Sequence, residues 1–267
     1  MTDTTPGLRD HPASARVMDR LRGGFTFQIS VDVDNIPLGL TVAEAALAAG
    51  IDLVEMGTPL LKTEGVRNVV PAFRHHFPDA LLLADMKTMD GGAFEARGVF
   101  GGGGNIIDFL AEAGEATARG ICAVRDEFRA ADPETPRLVF ADILLPHQGP
   151  ADRAVEVAQS MLAAGVDSIG VHLQLDARRE DPDLHRSDYL ATVARAVFEA
   201  VKDRASLQVV GGLSIDQARG LARHGLRAFV VSGNLGLPDS VARYTLPADE
   251  IRQHVATFIA EVSATQT

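Results

Sequence analysis

The feature that most constrains this chain is a joint that occurs three times. An Ala- or Leu-rich stretch ends in a glycine and a short apolar run follows: Gly50-Ile-Asp-Leu-Val-Glu55, Gly165-Val-Asp-Ser-Ile-Gly170 and Gly225-Leu-Arg-Ala-Phe-Val230. A glycine just past a helix end takes the left-handed conformation that closes off the last helical carbonyls. The apolar run then reads as a strand buried on both faces. Helix, glycine and strand in repetition are the pattern of parallel strands joined by helical crossovers.

Filling the intervals gives eight strand candidates, near 25–32, 51–56, 80–86, 105–110, 137–143, 167–172, 206–210 and 227–232. Helices are expected at 41–49, 63–76, 91–100, 115–130, 150–164, 187–203, 214–224 and 248–262. Eight β-α units make an α/β fold of the (β/α)8 TIM-barrel type. The rival, an open doubly wound sheet, lacks a Gly-x-Gly-x-x-Gly after the first strand. The 267 residues suit one barrel, since such domains commonly run to about 250 residues. The expected division is an arm or added helix at 1–23 and a single barrel domain at 24–267. Trp is absent and aromatics are 5% of residues, so the core must be aliphatic. The run Gly101 to Gly104 has no phosphate-loop Lys-Ser/Thr behind it and reads as an α-to-β connection. Residues 173–187 are long and polar, and read either as a lid or as a surface loop.

Charge and cysteine content narrow the partners. The formal net charge of -11 argues against nucleic acid or an anionic membrane, because both call for a basic surface. It leaves room for an anionic substrate held by backbone N–H groups and one local cation. The single cysteine, Cys122, allows no intrachain disulfide. With no signal-like or membrane-length apolar run, a soluble cytoplasmic protein is expected.

In a barrel, chemistry sits where strands end at the C-terminal face. The first strand ends in Ser30-Val-Asp32-Val-Asp34-Asn35, where period two puts both acids on one side; Asp34 also reads as a cap for the following turn. The second ends in Glu55, which reads as a metal ligand or a helix cap. The third ends in Ala84-Asp85-Met-Lys87-Thr-Met-Asp90, the fifth in Asp142 and the sixth in His172. The seventh ends in Gly211-Gly212 and the eighth in Gly233-Asn234.

Acids and lysine are rarely buried without partners, so this set calls for chemistry. Glu55 and Asp85, on neighbouring strands, suit Mg2+, a hard cation that takes oxygen ligands and stabilises an enediolate. Lys87 beside them is favoured in its charged form, as proton donor or charge stabiliser. His172 can move a proton near neutral pH, or can be a hydrogen-bonded rim histidine. Gly211, Gly212, Gly233 and Asn234 stand where many barrels bind phosphate through backbone N–H groups.

The segments Val54-Glu-Met-Gly-Thr-Pro-Leu-Leu-Lys-Thr-Glu-Gly65 and Ala84-Asp-Met-Lys-Thr-Met-Asp90 closely resemble the 3-hexulose-6-phosphate synthase family. Phe27-Gln-Ile-Ser-Val-Asp32, Val171-His172, Val210-Gly-Gly212 and the Gly233 turn follow in that family's order, and the likeness spans roughly 25–240. The resemblance implies a barrel of the orotidine monophosphate decarboxylase superfamily that joins formaldehyde to ribulose 5-phosphate, or reverses that step, with Mg2+. It implies Glu55 and Asp85 as metal ligands and Asp32 and Lys87 as substrate contacts. It implies His172 as the proton shuttle and the glycine pairs as the phosphate site. It also implies a homodimer in which Asp90 enters the partner's site.

The related 3-keto-L-gulonate-6-phosphate decarboxylases share the Asp-x-Lys-x-x-Asp element. They are expected to carry Arg three residues after the histidine, where this chain has Leu175, and to lack Thr-Pro-Leu-Leu-Lys. The chain departs from the synthases at Leu173-Gln-Leu-Asp176, at Leu144-Leu-Pro146 and at Gly233-Asn234. Two other functions therefore stand beside the synthase: a decarboxylase or aldolase acting on another sugar phosphate, and a non-catalytic phosphosugar-binding barrel.

Overall fold

The protein is described by a computed structural model over residues 11–186, 188–232 and 247–265. Eight parallel strands close into a barrel in sequence order. They are β1 (Thr26–Val31), β2 (Leu53–Met56), β3 (Leu81–Thr88), β4 (Ile106–Leu110), β5 (Leu138–Leu145), β6 (Ser168–Leu173), β7 (Ser206–Val210) and β8 (Ala228–Ser232). β1 closes the ring against β8, from Thr26↔Ala228 to Ser30↔Ser232. The expected (β/α)8 TIM barrel is the fold.

The recurrent joint has a structural purpose beyond ending helices. Gly50, Gly165 and Gly225 all take positive φ (97°, 100° and 93°). Two residues on, Asp52 accepts the backbone N–H of Phe27 at 2.8 Å, and Asp167 accepts that of Val139 at 2.9 Å. Asn105, after the glycine run, accepts the N–H of Leu82 at 3.0 Å. Each side chain satisfies a donor at the bottom edge of the preceding strand, where no ladder partner is available. Asp167 is itself held by Arg125 (2.7 Å) and Arg129 (3.1 Å).

Period two divides each strand between helices and barrel interior. Ile29, Val54, Leu82, Ile107, Val139, Ile169, Val209 and Phe229 belong to one large apolar cluster with the helices. Leu53, Leu83, Ile106, Leu138 and Phe140 form a second cluster inside the barrel. That inner layer is sealed by Met18 and Leu21 of α1 (Pro12–Gly23). Burying two such side chains stabilises the closed end by roughly 1.5–3 kcal/mol each. Above the apolar layer the interior residues become polar.

The outer helices are α2 (Ile36–Ala48), α3 (Thr58–Glu64), α4 (Val66–His76), α5 (Gly92–Gly101), α6 (Gly114–Ala131), α7 (Ala151–Ala163), α10 (Tyr189–Val201), α11 (Ile215–Arg223) and α12 (Ala248–Ser263). Two short helices, α8 (Leu175–Glu180) and α9 (Asp183–Arg186), occupy the segment after β6. Three boundaries differ from expectation. α2 begins at Ile36 rather than 41, because Asn35 caps it by accepting the N–H of Leu38 at 2.9 Å. The cap is thus Asn35, not Asp34. The helix expected at 63–76 is two helices broken at Gly65, where φ is 82°. The polar 173–187 segment is helical over much of its length instead of a plain loop.

Candidate active site

The polar interior opens at the C-terminal end of the strands into a cavity of about 360 Å³. Its floor carries Gln28, Ser30, Glu55, Asp85, Asp108 and Asp142; Asp32, Lys87 and His172 stand above them. Gln28 and Asp108 lie within β1 and β4, and the others come from the C-terminal half of a strand or from just beyond its end.

Glu55 accepts from Gln28 Nε2 at 2.5 Å and from Ser30 Oγ at 2.9 Å. Gln28 accepts in turn from Gln208 Nε2 at 2.8 Å, inside the barrel. Burial, then the nearby Asp85 and Asp32 charges, push the Glu55 carboxyl well above its usual range. Asp85 Oδ2 accepts from Thr58 Oγ1 and Lys87 Nζ, each at 2.7 Å. Burial works against the charge on Lys87, yet Asp85, Asp142 and Asp108 outweigh it and hold the ammonium above its ordinary range. Lys87 therefore stays protonated and can donate, but is no base.

The backbone at Lys87 is special. It has φ 46°, the one positive φ among the described non-glycine residues. The β3–β4 register slips between Asp85 and Thr88 at the same place. Left-handed backbone at a side-chain-bearing residue costs on the order of 1–2 kcal/mol. Here it sets the ammonium between two carboxylates.

Glycines make room for the acids. A Cβ at Gly57 would overlap the Asp32 carboxylate, and one at Gly170 would overlap that of Asp142. Asp142 Oδ2 lies 3.0 Å from His172 Nδ1 and 3.9 Å from Lys87 Nζ. Burial would raise the Asp142 pKa, but the His172 hydrogen bond and charge, with Lys87, bring it below the usual value. An ionised Asp142 fixes the proton of His172 on Nδ1 and leaves Nε2 to accept.

Of the residues expected from sequence, Asp32, Glu55, Asp85, Lys87, His172, Gly211 and Gly212 come together around this one cavity. Asp90 does not: it is exposed, away from the cavity lining, and accepts the N–H of Gly91. Gly233 and Asn234 lie outside the described residues. Sequence reasoning missed Asp108, Gln28, Thr58 and Arg178. Asp108 sits inside the apolar run Ile106–Leu110, two residues after inward-facing Ile106; period two was the signal that could have found it. Burial, then Asp142 and Asp85, raise its carboxyl well above the usual range.

The donor set can be tested against a divalent cation. Among the described residues no three His, Cys, Asp or Glu side chains converge as a metal cage. The Glu55–Asp85 pair is nevertheless suited to Mg2+, which keeps waters and takes substrate oxygens beside one or two carboxylates. Asp85 Oδ1 is buried and has no hydrogen-bond partner, as are Oδ1 of Asp108 and of Asp142. Orphaned carboxylate oxygens around a cavity of like charges are what a bound cation would relieve.

Known proteins give the same frame. A 3-hexulose-6-phosphate synthase of Mycobacterium gastri is 28% identical over 230 residues, covering 86% of this chain and 99% of the relative. One from Bacillus subtilis (strain 168) is 29% identical over 189 residues, 71% of this chain and 80% of the relative. A crystal structure of a 3-hexulose-6-phosphate synthase superposes with a TM-score of 0.66 at 26% identity, over 86% of this chain and 99% of that one. The family model described as orotidine 5'-phosphate decarboxylase / HUMPS matches residues 26–181, from β1 through α8, and the chain belongs to that family.

Proposed function

We propose that this protein is an Mg2+-assisted aldol enzyme of the 3-hexulose-6-phosphate synthase type, joining formaldehyde to ribulose 5-phosphate through an enediolate. The observation that carries the reading is the arrangement across one cavity: Glu55, Asp85 and a protonated Lys87 on one side, the Asp142–His172 pair on the other. Glu55 and Asp85 would hold the metal, which when bound would supply Lewis-acid stabilisation of negative charge on substrate oxygens.

The protein's own groups do the rest. His172 Nε2 takes a proton from C1 of the ketose phosphate, and the electron pair moves toward the C2 carbonyl oxygen to give the enediolate. Lys87 donates a hydrogen bond toward the developing oxyanion, its charge fixed by Asp85 and Asp142. Asp32, beside Ser30 and above Glu55, binds a sugar hydroxyl. C1 then forms the new bond to the formaldehyde carbon, and the former aldehyde oxygen takes up a proton from His172. Gly211 and Gly212 offer bare backbone to the phosphate.

Asp90 serves a neighbouring subunit in this reading. Two large apolar side chains lie exposed near it, Met89 (54%) and Phe94 (72%), which supports a face covered by a second copy. No helix among the described residues is long and apolar enough to cross a membrane. With one cysteine and an acidic surface, a cytoplasmic enzyme with residues 24–267 as its domain is the reading we adopt. The test is formaldehyde-dependent consumption of ribulose 5-phosphate with Mg2+, abolished by EDTA. Turnover unaffected by chelation, or release of CO2 from a phosphorylated keto acid in its place, would overturn it.

A further inference from the structure

The cavity carries charge of opposite sign at its two ends. Five carboxyl groups, Asp32, Glu55, Asp85, Asp108 and Asp142, line the cavity below its rim, and Lys87 there is committed to Asp85 and Asp142. In a chain of net charge -11, a phosphate would be repelled from that end. Among the described residues, the cations at the rim come from α8, the short helix after β6: Arg178 and Arg179. Arg179 is exposed and reaches Asp176 at 3.8 Å. Arg178 turns inward and donates from Nη1 to the carbonyl of Gly211 at 2.5 Å.

The β7 terminus is shaped around that guanidinium. Gly211 has φ 133° and Gly212 φ 69°, both in the region that favours glycine. A Cβ at Gly212 would overlap Arg178, and one at Gly211 would lie 2.8 Å from Leu173 Cβ. The glycines thus do more than expose backbone N–H groups: Gly212 admits the Arg178 side chain from the preceding βα segment into the rim, and Gly211 lets the β7 terminus pack close against Leu173. The arginine is placed six residues after His172, and the position three residues after the histidine is Leu175, which also lines the cavity.

We propose that Arg178 is a specificity-determining residue, the cation that anchors the phosphate of the substrate at the Gly211–Gly212 rim. The inference rests on the sugar-phosphate reading given above and names the residue that enforces it. A guanidinium presents a planar fork of donors that fits phosphate bidentately, which a lysine cannot reproduce. On binding, a phosphate oxygen competes with the Gly211 carbonyl for Nη1, so occupancy ties α8 over the cavity mouth.

Calorimetric binding of ribose 5-phosphate, ribose and inorganic phosphate to the intact protein tests this, with Arg178→Met, Arg178→Lys and the surface control Arg153→Met. Wild type and R153M are expected to prefer ribose 5-phosphate over ribose. R178M should lose affinity for ribose 5-phosphate and for inorganic phosphate by roughly tenfold to hundredfold, leave ribose unchanged, and be rescued only in part by R178K. In turnover the loss should fall on KM more than kcat. Undiminished ribose 5-phosphate binding by R178M, with the wild-type preference intact, overturns the Arg178 assignment alone. No preference for ribose 5-phosphate over ribose in wild type overturns both this assignment and the sugar-phosphate reading.

Discussion

Replacing Asp142 by Asn keeps the shape of a side chain that is 3% exposed and fitted against Gly170, yet removes its charge. Two outcomes compete at the site. If the amide nitrogen faced His172 Nδ1, the ring proton would move to Nε2 and the base would be lost, a defect of up to about 10⁴-fold by analogy with triads. If the amide oxygen faced Nδ1, the tautomer would survive and only the charge-assisted component would go. The Oδ2 position decides between them. It lies 3.0 Å from His172 Nδ1 and also 3.9 Å from the Lys87 ammonium, so an NH2 group there would meet a cation. The oxygen therefore faces His172. The loss is that of one charge-assisted hydrogen bond, roughly 1.5–3 kcal/mol, or about 10- to 150-fold in kcat. KM for the phosphosugar should move little, because the residue is at the deep end of the cavity. The assay is steady-state turnover of ribulose 5-phosphate and formaldehyde by wild type and D142N, with circular dichroism to confirm folding. An unchanged kcat, or a loss confined to KM, would refute the argument that Asp142 sets the state of His172.

Gly170→Ala should reduce kcat at least as strongly while the protein stays folded, since its Cβ would displace the Asp142 carboxylate; the check is the same assay with a thermal melt, where overpacking costs about 1–3 kcal/mol. Asp167→Ala removes the shared partner of Arg125, Arg129 and the Val139 N–H. It should lower stability by about 3–5 kcal/mol in urea unfolding, with activity per folded molecule retained at 25 °C. The helix α1 should loosen in acid. His11 accepts the Ser14 N–H at Nδ1 (3.2 Å), and burial, then Arg129, lower its pKa. A base with a depressed folded pKa contributes stability above its unfolded pKa of about 6.5 that is lost as pH falls through the lower folded value. Protection of α1 amides, corrected for the intrinsic pH dependence of exchange, should therefore fall between pH 7.5 and 5 more than that of β1 amides, and equal changes would count against it.

Most of the frame was legible in sequence because one joint repeats it. Glycines at 50, 165 and 225 marked helix ends, and the runs behind them marked strands, since both signals are local. Glu55, Asp85, Lys87 and His172 were legible because polar residues at strand ends contrast with the apolar runs before them. Asp108 was not, because it lies within its apolar run and only the inward face of β4 separates it from its neighbours. Arg178 was hidden for another reason. Its place against Gly211 joins residues 33 apart in sequence through a short helix that no periodic pattern announces. Thr58 likewise reaches Asp85 only because α3 starts directly after Gly57. Contacts made across elements carry no local mark in a single sequence.

The account turns on a proton leaving C1 of the ketose phosphate at His172. The most direct test is proton NMR of ribulose 5-phosphate in D2O with the Mg2+-supplemented protein and no aldehyde. The account predicts enzyme-dependent loss of one C1 hydrogen signal to solvent exchange, absent with EDTA and slowed at least tenfold in D142N. Bound ribulose 5-phosphate that keeps both C1 hydrogens through many turnover times would contradict it.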